Sequence, residues 1–178
     1  VRYDLAGFWT EYRQLVEPRF VETLNAFRFE NLTRARIRGV EALLEASDGQ
    51  ERHRLRLSYT FLDPDDLTTG EALVFRSRHL LHAALVTRLL DPLEFGADFR
   101  YASHPERITT EFSRFVADAD LFADQRVLDL RLATDFAWAG ASVEMALLLK
   151  NALQHYYVER PAILAPTRRL LLQLQVRL

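Results

Sequence analysis

The sequence predicts an all-β chain, an antiparallel meander of about eight strands, and three observations carry the prediction. Apolar and polar residues alternate with a period of two in eight separate stretches, the spacing of a strand with one apolar face. Helical spacing fits none of these stretches better; only Thr110 to Ala119, through Phe112, Phe115 and Val116, reads as one short helix. The connections alternate short and long, so in an antiparallel meander every tight turn falls on one rim and every long loop on the other.

The first strand, Asp4 to Leu15, shows Ala6, Phe8 and Tyr12 on its apolar side, and a long connection, Val16 to Thr33, follows it. The second, Ile37 to Ala46, sets Val40, Ala42 and Leu44 against Glu41 and Glu45. A tight Asp48-Gly49 turn leads to the third, His53 to Phe61, where Leu55, Leu57, Tyr59 and Phe61 oppose Arg54, Arg56, Ser58 and Thr60. After the long Asp63 to Ser77 connection comes a weaker pattern over Leu80 to Leu90. Only Asp91-Pro92 separates it from Leu93 to Tyr101, with Leu93, Phe95, Ala97, Phe99 and Tyr101 against Glu94, Asp98 and Arg100. The Ala102 to Gln125 connection precedes Val127 to Trp138, where Leu128, Leu130, Leu132, Phe136 and Trp138 oppose Asp129, Arg131 and Asp135. Ala139-Gly140-Ala141 then turns the chain into Val143 to Leu153, with Val143, Met145, Leu147 and Leu149 against Glu144 and Lys150. Gln154 to Thr167 is the last long loop. Arg169 to Leu178 closes the series, with Leu170, Leu172, Leu174, Val176 and Leu178 on one face.

Composition narrows the class further. The 178 residues carry 23 basic and 25 acidic side chains, a formal charge of −2, so no excess positive field gathers nucleic-acid phosphates. Only Lys150 among the basic residues is lysine. Without cysteine the chain has no disulfide staple, thiol nucleophile or cysteine zinc site. No run approaches the ~18 apolar residues of a membrane helix. The chain opens at Val1 without a secretory leader, which reads as a processed start or as a piece of something longer.

Alternation does not say which solvent the apolar face meets: a soluble barrel hides it inside, an outer-membrane barrel turns it to lipid. Three features favour lipid. Strands of about ten residues match a tilted bilayer crossing, whereas soluble strands average about five or six. Tight turns on one rim and long loops on the other are the bacterial outer-membrane arrangement. Aromatic residues gather toward the ends of the apolar stripes (Tyr59 and Phe61, Phe99 and Tyr101, Phe136 and Trp138), as interfacial girdles require. On the opposite face Arg52, Arg54 and Arg56 neighbour Glu41 and Glu45, and Asp129, Arg131 and Asp135 neighbour Glu94, Asp98 and Arg100. Such charges are expected to pair across strands in a wet lumen.

The order of several short stretches carries a resemblance: Asn31 with Ala35-Arg36-Ile37-Arg38-Gly39-Val40-Glu41, then Leu57-Ser58-Tyr59-Thr60-Phe61-Leu62-Asp63, then Arg76-Ser77-Arg78-His79. Asp124-Gln125-Arg126-Val127-Leu128-Asp129-Leu130-Arg131 follows. Lys150-Asn151-Ala152-Leu153, Tyr156-Tyr157, Pro166-Thr167-Arg168 and the final strand complete it. Over nearly its whole length the chain resembles the C-terminal part of TonB-dependent outer-membrane receptors. It departs from them at Ser77, where proline is usual, at Thr167, often glycine, and at Leu178, commonly an aromatic. The resemblance implies that residues 1–178 are the last part of a larger plugged barrel of about 22 strands, the plug domain and earlier strands lying before Val1. It implies TonB-energised uptake of a scarce nutrient such as an iron–siderophore complex. The partners it implies are outer-membrane lipid, the TonB complex through the missing N-terminal part, and a small-molecule ligand.

The ligand-contact candidates are residues of the outer loops: His104, Arg107, His155, Tyr156, Tyr157 and Arg160. An arginine fork bonds carboxylates two at a time, and aromatic rings suit flat ligand faces. No catalytic, cofactor-binding or metal-binding residue is assigned, and no enzyme activity is expected. Among the histidines, His79 and His82 are three apart and face opposite sides of a strand, which suits no metal. Asp118, Asp120 and Asp124 form an acidic loop with Ca²⁺-type oxygen ligands but without the glycine and glutamate of an EF-hand. No serine lies in a glycine-flanked nucleophile elbow, and no glycine-rich phosphate loop is present. Two rival readings stand beside this one: a self-contained eight-stranded outer-membrane barrel, structural or enzymatic, and a soluble ligand-binding barrel.

Overall fold

Side chains that alternate at a period of two commit the backbone to an extended ladder, and the computed structural model shows that ladder in full. It describes residues 1–108, 117–160 and 163–177. The strands are β1 (Arg2–Val21), β2 (Ala26–Ser47), β3 (His53–Asp66), β4 (Glu71–Ala72), β5 (His79–Leu90), β6 (Leu93–Ala102), β7 (Gln125–Trp138), β8 (Ala141–Lys150), β9 (Val158–Arg160), β10 (Ile163–Leu164) and β11 (Arg169–Arg177). Eight of them form one antiparallel path, β1-β2-β3-β5-β6-β7-β8-β11, with β4 attached to β3 and β9 and β10 paired separately. Each of the eight matches a stretch predicted from periodicity. The path is open: its edges are β1 and β11, so the described pairings do not close an eight-stranded barrel.

Two expectations need correction. Val16 to Thr33 is not a loop. The β1–β2 ladder runs on, pairing Leu15 with Leu32 through to Val21 with Ala26, around a single 3-10 turn at Glu22–Leu24. The first strand also shows its other side to the apolar face. Ladder partners share a face, and Ala6, Phe8 and Tyr12 stand opposite Glu41, Gly39 and Ala35, with the charged set. Tyr3, Leu5, Gly7 and Trp9 stand opposite Leu44, Ala42, Val40 and Arg38. Phe8 has room there because its partner is Gly39: a Cβ at that position would collide with the Phe8 ring and with the carbonyl oxygen of Phe61. Residues 109–116 lie outside the described ones, and with them most of the short helix expected over Thr110–Ala119; Ala119–Phe122 is one 3-10 turn.

Register assigns every strand residue to a face. One face carries Leu44, Ala42 and Val40 of β2, Leu55, Leu57, Tyr59 and Phe61 of β3, and Leu85, Ala83 and Leu81 of β5. It continues through Phe95, Ala97, Phe99 and Tyr101 of β6, Leu128, Leu130, Leu132 and Thr134 of β7, Val143, Met145, Leu147 and Leu149 of β8, and Leu170, Leu172, Leu174 and Val176 of β11. No Asp, Glu, Lys or Arg occupies these positions. Many of them are open to the surroundings, among them Leu132, Leu147, Leu172 and Leu174.

The sheet has no large core beneath it. Among the described residues the buried hydrophobics are mostly alanines, such as Ala133 and Ala146. The accessible surface is 12048 Å², against about 8,900 Å² for a compact soluble monomer of this mass. Among the described residues no element covers the apolar face of the sheet.

Candidate ligand site on the charged wall

The sheet curves so that its charged face is concave, enclosing a cavity of about 740 Å³ lined by strands β5, β6, β7 and β8 and the start of β11. Ladder geometry explains the charges on that wall. Opposed and diagonal residues of neighbouring strands lie within reach of each other, so acidic and basic positions of one parity meet across the sheet. Arg131 of β7 bridges Glu94 of β6 (3.0 Å) and Glu144 of β8. Asp129 accepts from Arg100 Nη2 (2.9 Å), Lys150 Nζ (3.0 Å) and the backbone N–H of Asn151 (2.8 Å). His82 Nε2 lies 2.6 Å from Asp98 Oδ2. Nearer the tight-turn rim, Glu45 lies 3.6 Å from both Arg2 and Arg56. Of the pairs expected across strands, Arg56 with Glu45, Arg131 with Glu94 and Arg100 with Asp129 are present; Arg54 reaches Glu94, at 4.0 Å, rather than Glu41 or Glu45.

The cavity lining is basic. Arg100, Arg131, Lys150 and Arg169 face it against Asp98 and Asp129, four cations to two carboxylates. Arg131 is saturated by Glu94 and Glu144. Arg169 sits opposite Lys150 in the ladder and meets no carboxylate among the described residues. The surplus charge therefore gathers at the loop-side end, with Tyr157, Thr167 and Asn151 beside it.

Above the wall the long connections pack on one another. Ala119, Ala123 and Val158 form a small buried cluster with Phe75 and Ile108 against it, so three loops share one apolar contact. Where β3 ends, buried Asp66 accepts the backbone N–H of Thr68 (2.8 Å) and of Thr69 (3.4 Å). Burial alone would raise its carboxyl; these donors outweigh that and hold it below the ordinary carboxylate value. Gly70, at φ +76°, completes the turn, its N–H donating to the Asp66 carbonyl.

The six loop candidates divide. Tyr157 lines the cavity, its ring stacked on His155 with centroids 6.2 Å apart. His104, Arg107 and His155 are engaged with loop backbone instead. His104 contacts the carbonyls of Pro105 and Asp120, and His155 Nε2 lies 3.1 Å from that of Asp124. Arg107 holds Glu71 at 2.8 Å and the carbonyl of Ala72 at 3.4 Å. Tyr156 is exposed and hydrogen-bonds Gln154. Arg160 ends β9, and its side chain lies outside the described residues. Loop composition singled out these residues, whereas the cations at the cavity mouth are strand-end residues; the signal that finds them is inward parity at the loop-side end of β6, β8 and β11.

Of the acidic loop, Asp124 pairs with Arg126 (2.9 Å). Among the described residues no group of three or more His, Asp or Glu is placed to hold a metal ion. No helix among them is long and apolar enough to cross a membrane, which says nothing of crossing by strands.

No protein-family profile matches the chain, and no curated protein matches it in sequence. Among solved structures it is similar to BauA, the ferric preacinetobactin receptor of Acinetobacter baumannii, with a TM-score of 0.65 at 17% identity. The likeness covers 97% of this chain and 26% of that one. The chain therefore spans about a quarter of the receptor it resembles, and what the two share is the fold of a curved antiparallel wall.

Proposed function

We propose that this chain is the wall-and-loop part of an outer-membrane receptor that imports a scarce nutrient, an iron–siderophore complex being the cargo best suited to the site. One observation carries the reading: across eight strands the convex face holds no charged residue over its spanning positions, while the concave face is a ladder of ion pairs. Water would reward the opposite arrangement in a self-sufficient domain; hydrocarbon outside and water inside reward this one. A ten-residue strand, rising ~3.3 Å per residue and tilted by ~40°, covers about 25 Å, the height of an outer-membrane apolar band. The likeness to a ferric siderophore receptor supports the same reading.

On this reading the cations at the loop-side end of the cavity, Arg100, Lys150 and Arg169, receive an anionic cargo, and Tyr157 offers it a ring face. The chain does no covalent chemistry. Energy arrives through a plug and the TonB complex, contributed by sequence outside these residues. The open edges at β1 and β11 suit a wall segment better than a closed eight-stranded barrel.

The test is the intact mass of the native polypeptide extracted by detergent from outer-membrane fractions. A mass several times 20.7 kDa, together with TonB-dependent iron uptake, is the expected result. A mass near 20.7 kDa overturns the import mechanism, and recovery in the soluble fraction overturns the membrane assignment.

A further inference from the structure

His104 stands where β6 gives way to the 103–124 connection, and both of its ring nitrogens face carbonyl oxygens. Nδ1 is 2.9 Å from the carbonyl of Pro105 and Nε2 is 2.7 Å from that of Asp120. A carbonyl only accepts. A neutral imidazole has a single N–H, so one of the two contacts would set lone pair against lone pair; the imidazolium donates to both. The second contact matters beyond the ring itself. Asp120 follows Ala119, which is fully buried in the apolar cluster shared by three loops.

We propose that His104 is a proton-operated latch on the loop cap. As the imidazolium it ties the 117–124 segment to the end of β6; as the neutral ring it gives up one of the two ties, and the segment loosens. The sign follows: the bound form carries the extra proton, so the tie is complete with the charged ring and incomplete with the neutral one.

The charged groups of the surrounding elements are accounted for. The 117–124 segment brings Asp118, Asp120 and Asp124, the last ion-paired with Arg126. From the side of His104, Glu106 is paired with Arg78 and Arg107 with Glu71. From β5, His79 bonds Tyr59 through its side chain and Ser103 through its backbone. His155 reaches the same segment through Nε2 alone, 3.1 Å from the Asp124 carbonyl and 3.8 Å from its carboxylate; the neutral ring protonated at Nε2 keeps that hydrogen bond and loses only the longer ion pair. The latch is therefore assigned to His104, and it holds whatever the loops admit.

Amide hydrogen exchange on the purified full-length protein in detergent tests this, run at about pH 5 and about pH 8 and corrected for intrinsic rates. The reporter is the Leu121 amide, which donates to the Asp118 carbonyl at 3.0 Å. Its exchange should be roughly tenfold faster at the higher pH, the factor one hydrogen bond to a charged group is worth. H104Q should exchange fast at both values, with the amides of β7 unchanged. Equal wild-type protection at the two values overturns the proposal, as does a pH dependence that survives in H104Q. The ¹⁵N shifts of the His104 ring give an independent check: one bare nitrogen at the lower pH also overturns it.

Discussion

Within a single strand pair the molecule contains two regions that obey opposite rules. Along β2 and β3, below Val40 and Phe61, the convex face is apolar (Leu44, Leu57, Tyr59) and the concave face polar (Glu45, Arg56, Ser58, Thr60). Beyond those residues the register continues without a slip, yet the chemistry of the faces inverts. The convex side becomes Arg38, Arg36, Asp63 and Asp65, joined as ion pairs with Arg38 Nε 2.6 Å from Asp63. The concave side becomes Gly39, Ile37, Ala35, Leu62 and Pro64, with Ala35 and Pro64 fully buried, and ends on the buried turn carboxylate Asp66 opposite Ala35. Trp9 marks the crossing, its ring 5.0 Å from the guanidinium of Arg36 and 5.6 Å from that of Arg38. The backbone is one ladder; the change of surroundings decides which face is greasy. On the membrane reading proposed above, lipid outside would give the lower rule, and water outside with loops packed inside the upper one.

The sharpest way to break the comparison is a charge in the lower region. Leu147→Arg, on the convex face of β8, should cost about 2–4 kcal/mol of folding stability in lipid, while an exposed site in water would lose under about 0.5 kcal/mol. Urea unfolding of the variant in bilayers distinguishes the two. At the boundary, Gly39→Ala should cost about 1–3 kcal/mol, since the new methyl meets the Phe61 carbonyl as well as the Phe8 ring. Adding Phe8→Ala should leave a penalty, because the clash with backbone remains.

In the concave lower region Arg131→Ala removes the cation shared by Glu94 and Glu144. The two carboxylates then face each other across β7, and a loss of about 1–2 kcal/mol is expected, reduced when either acid is also neutralised. In the upper region Asp66→Ala should loosen the turn after β3 by about 1 kcal/mol, read as faster proteolysis near Thr69. Its pH dependence has a definite sign. The carboxyl is held low in the folded chain, so its contribution is present above the ordinary aspartate value and is lost as pH falls through the lowered one. Asp66→Ala should be insensitive to pH over that window.

How much of this was legible in the sequence follows from the same two regions. In the lower one, one face is uniformly apolar and the other polar, so strands and faces could be read from β2 through β11. β1 misled because both of its faces carry apolar side chains, Ala6 and Phe8 on one, Leu5 and Trp9 on the other, and only the partner strand separates them. In the upper region apolar and charged residues still alternate but with the roles exchanged. Composition made the β1–β2 extension look like a loop, because it mixes both kinds and lies beyond the uniform stripe. The site shows a similar limit. Loop residues are recognisable as loop residues, but whether His104 or Arg107 turns to a ligand or to neighbouring backbone depends on packing between segments far apart in the chain. Tyr157 was within reach of sequence reasoning; Lys150 and Arg169 became site residues only once register set them side by side.

The extension of β1 and β2 has a steric consequence. Beyond Trp9 the hairpin continues for about a dozen residues on each arm, roughly 40 Å of ladder at ~3.3 Å per residue. In the proposed orientation it stands well above the lipid surface as an outrigger at one edge of the sheet. Bulky objects approaching from that side meet its tip at Glu22–Leu24 long before they reach the basic end of the cavity.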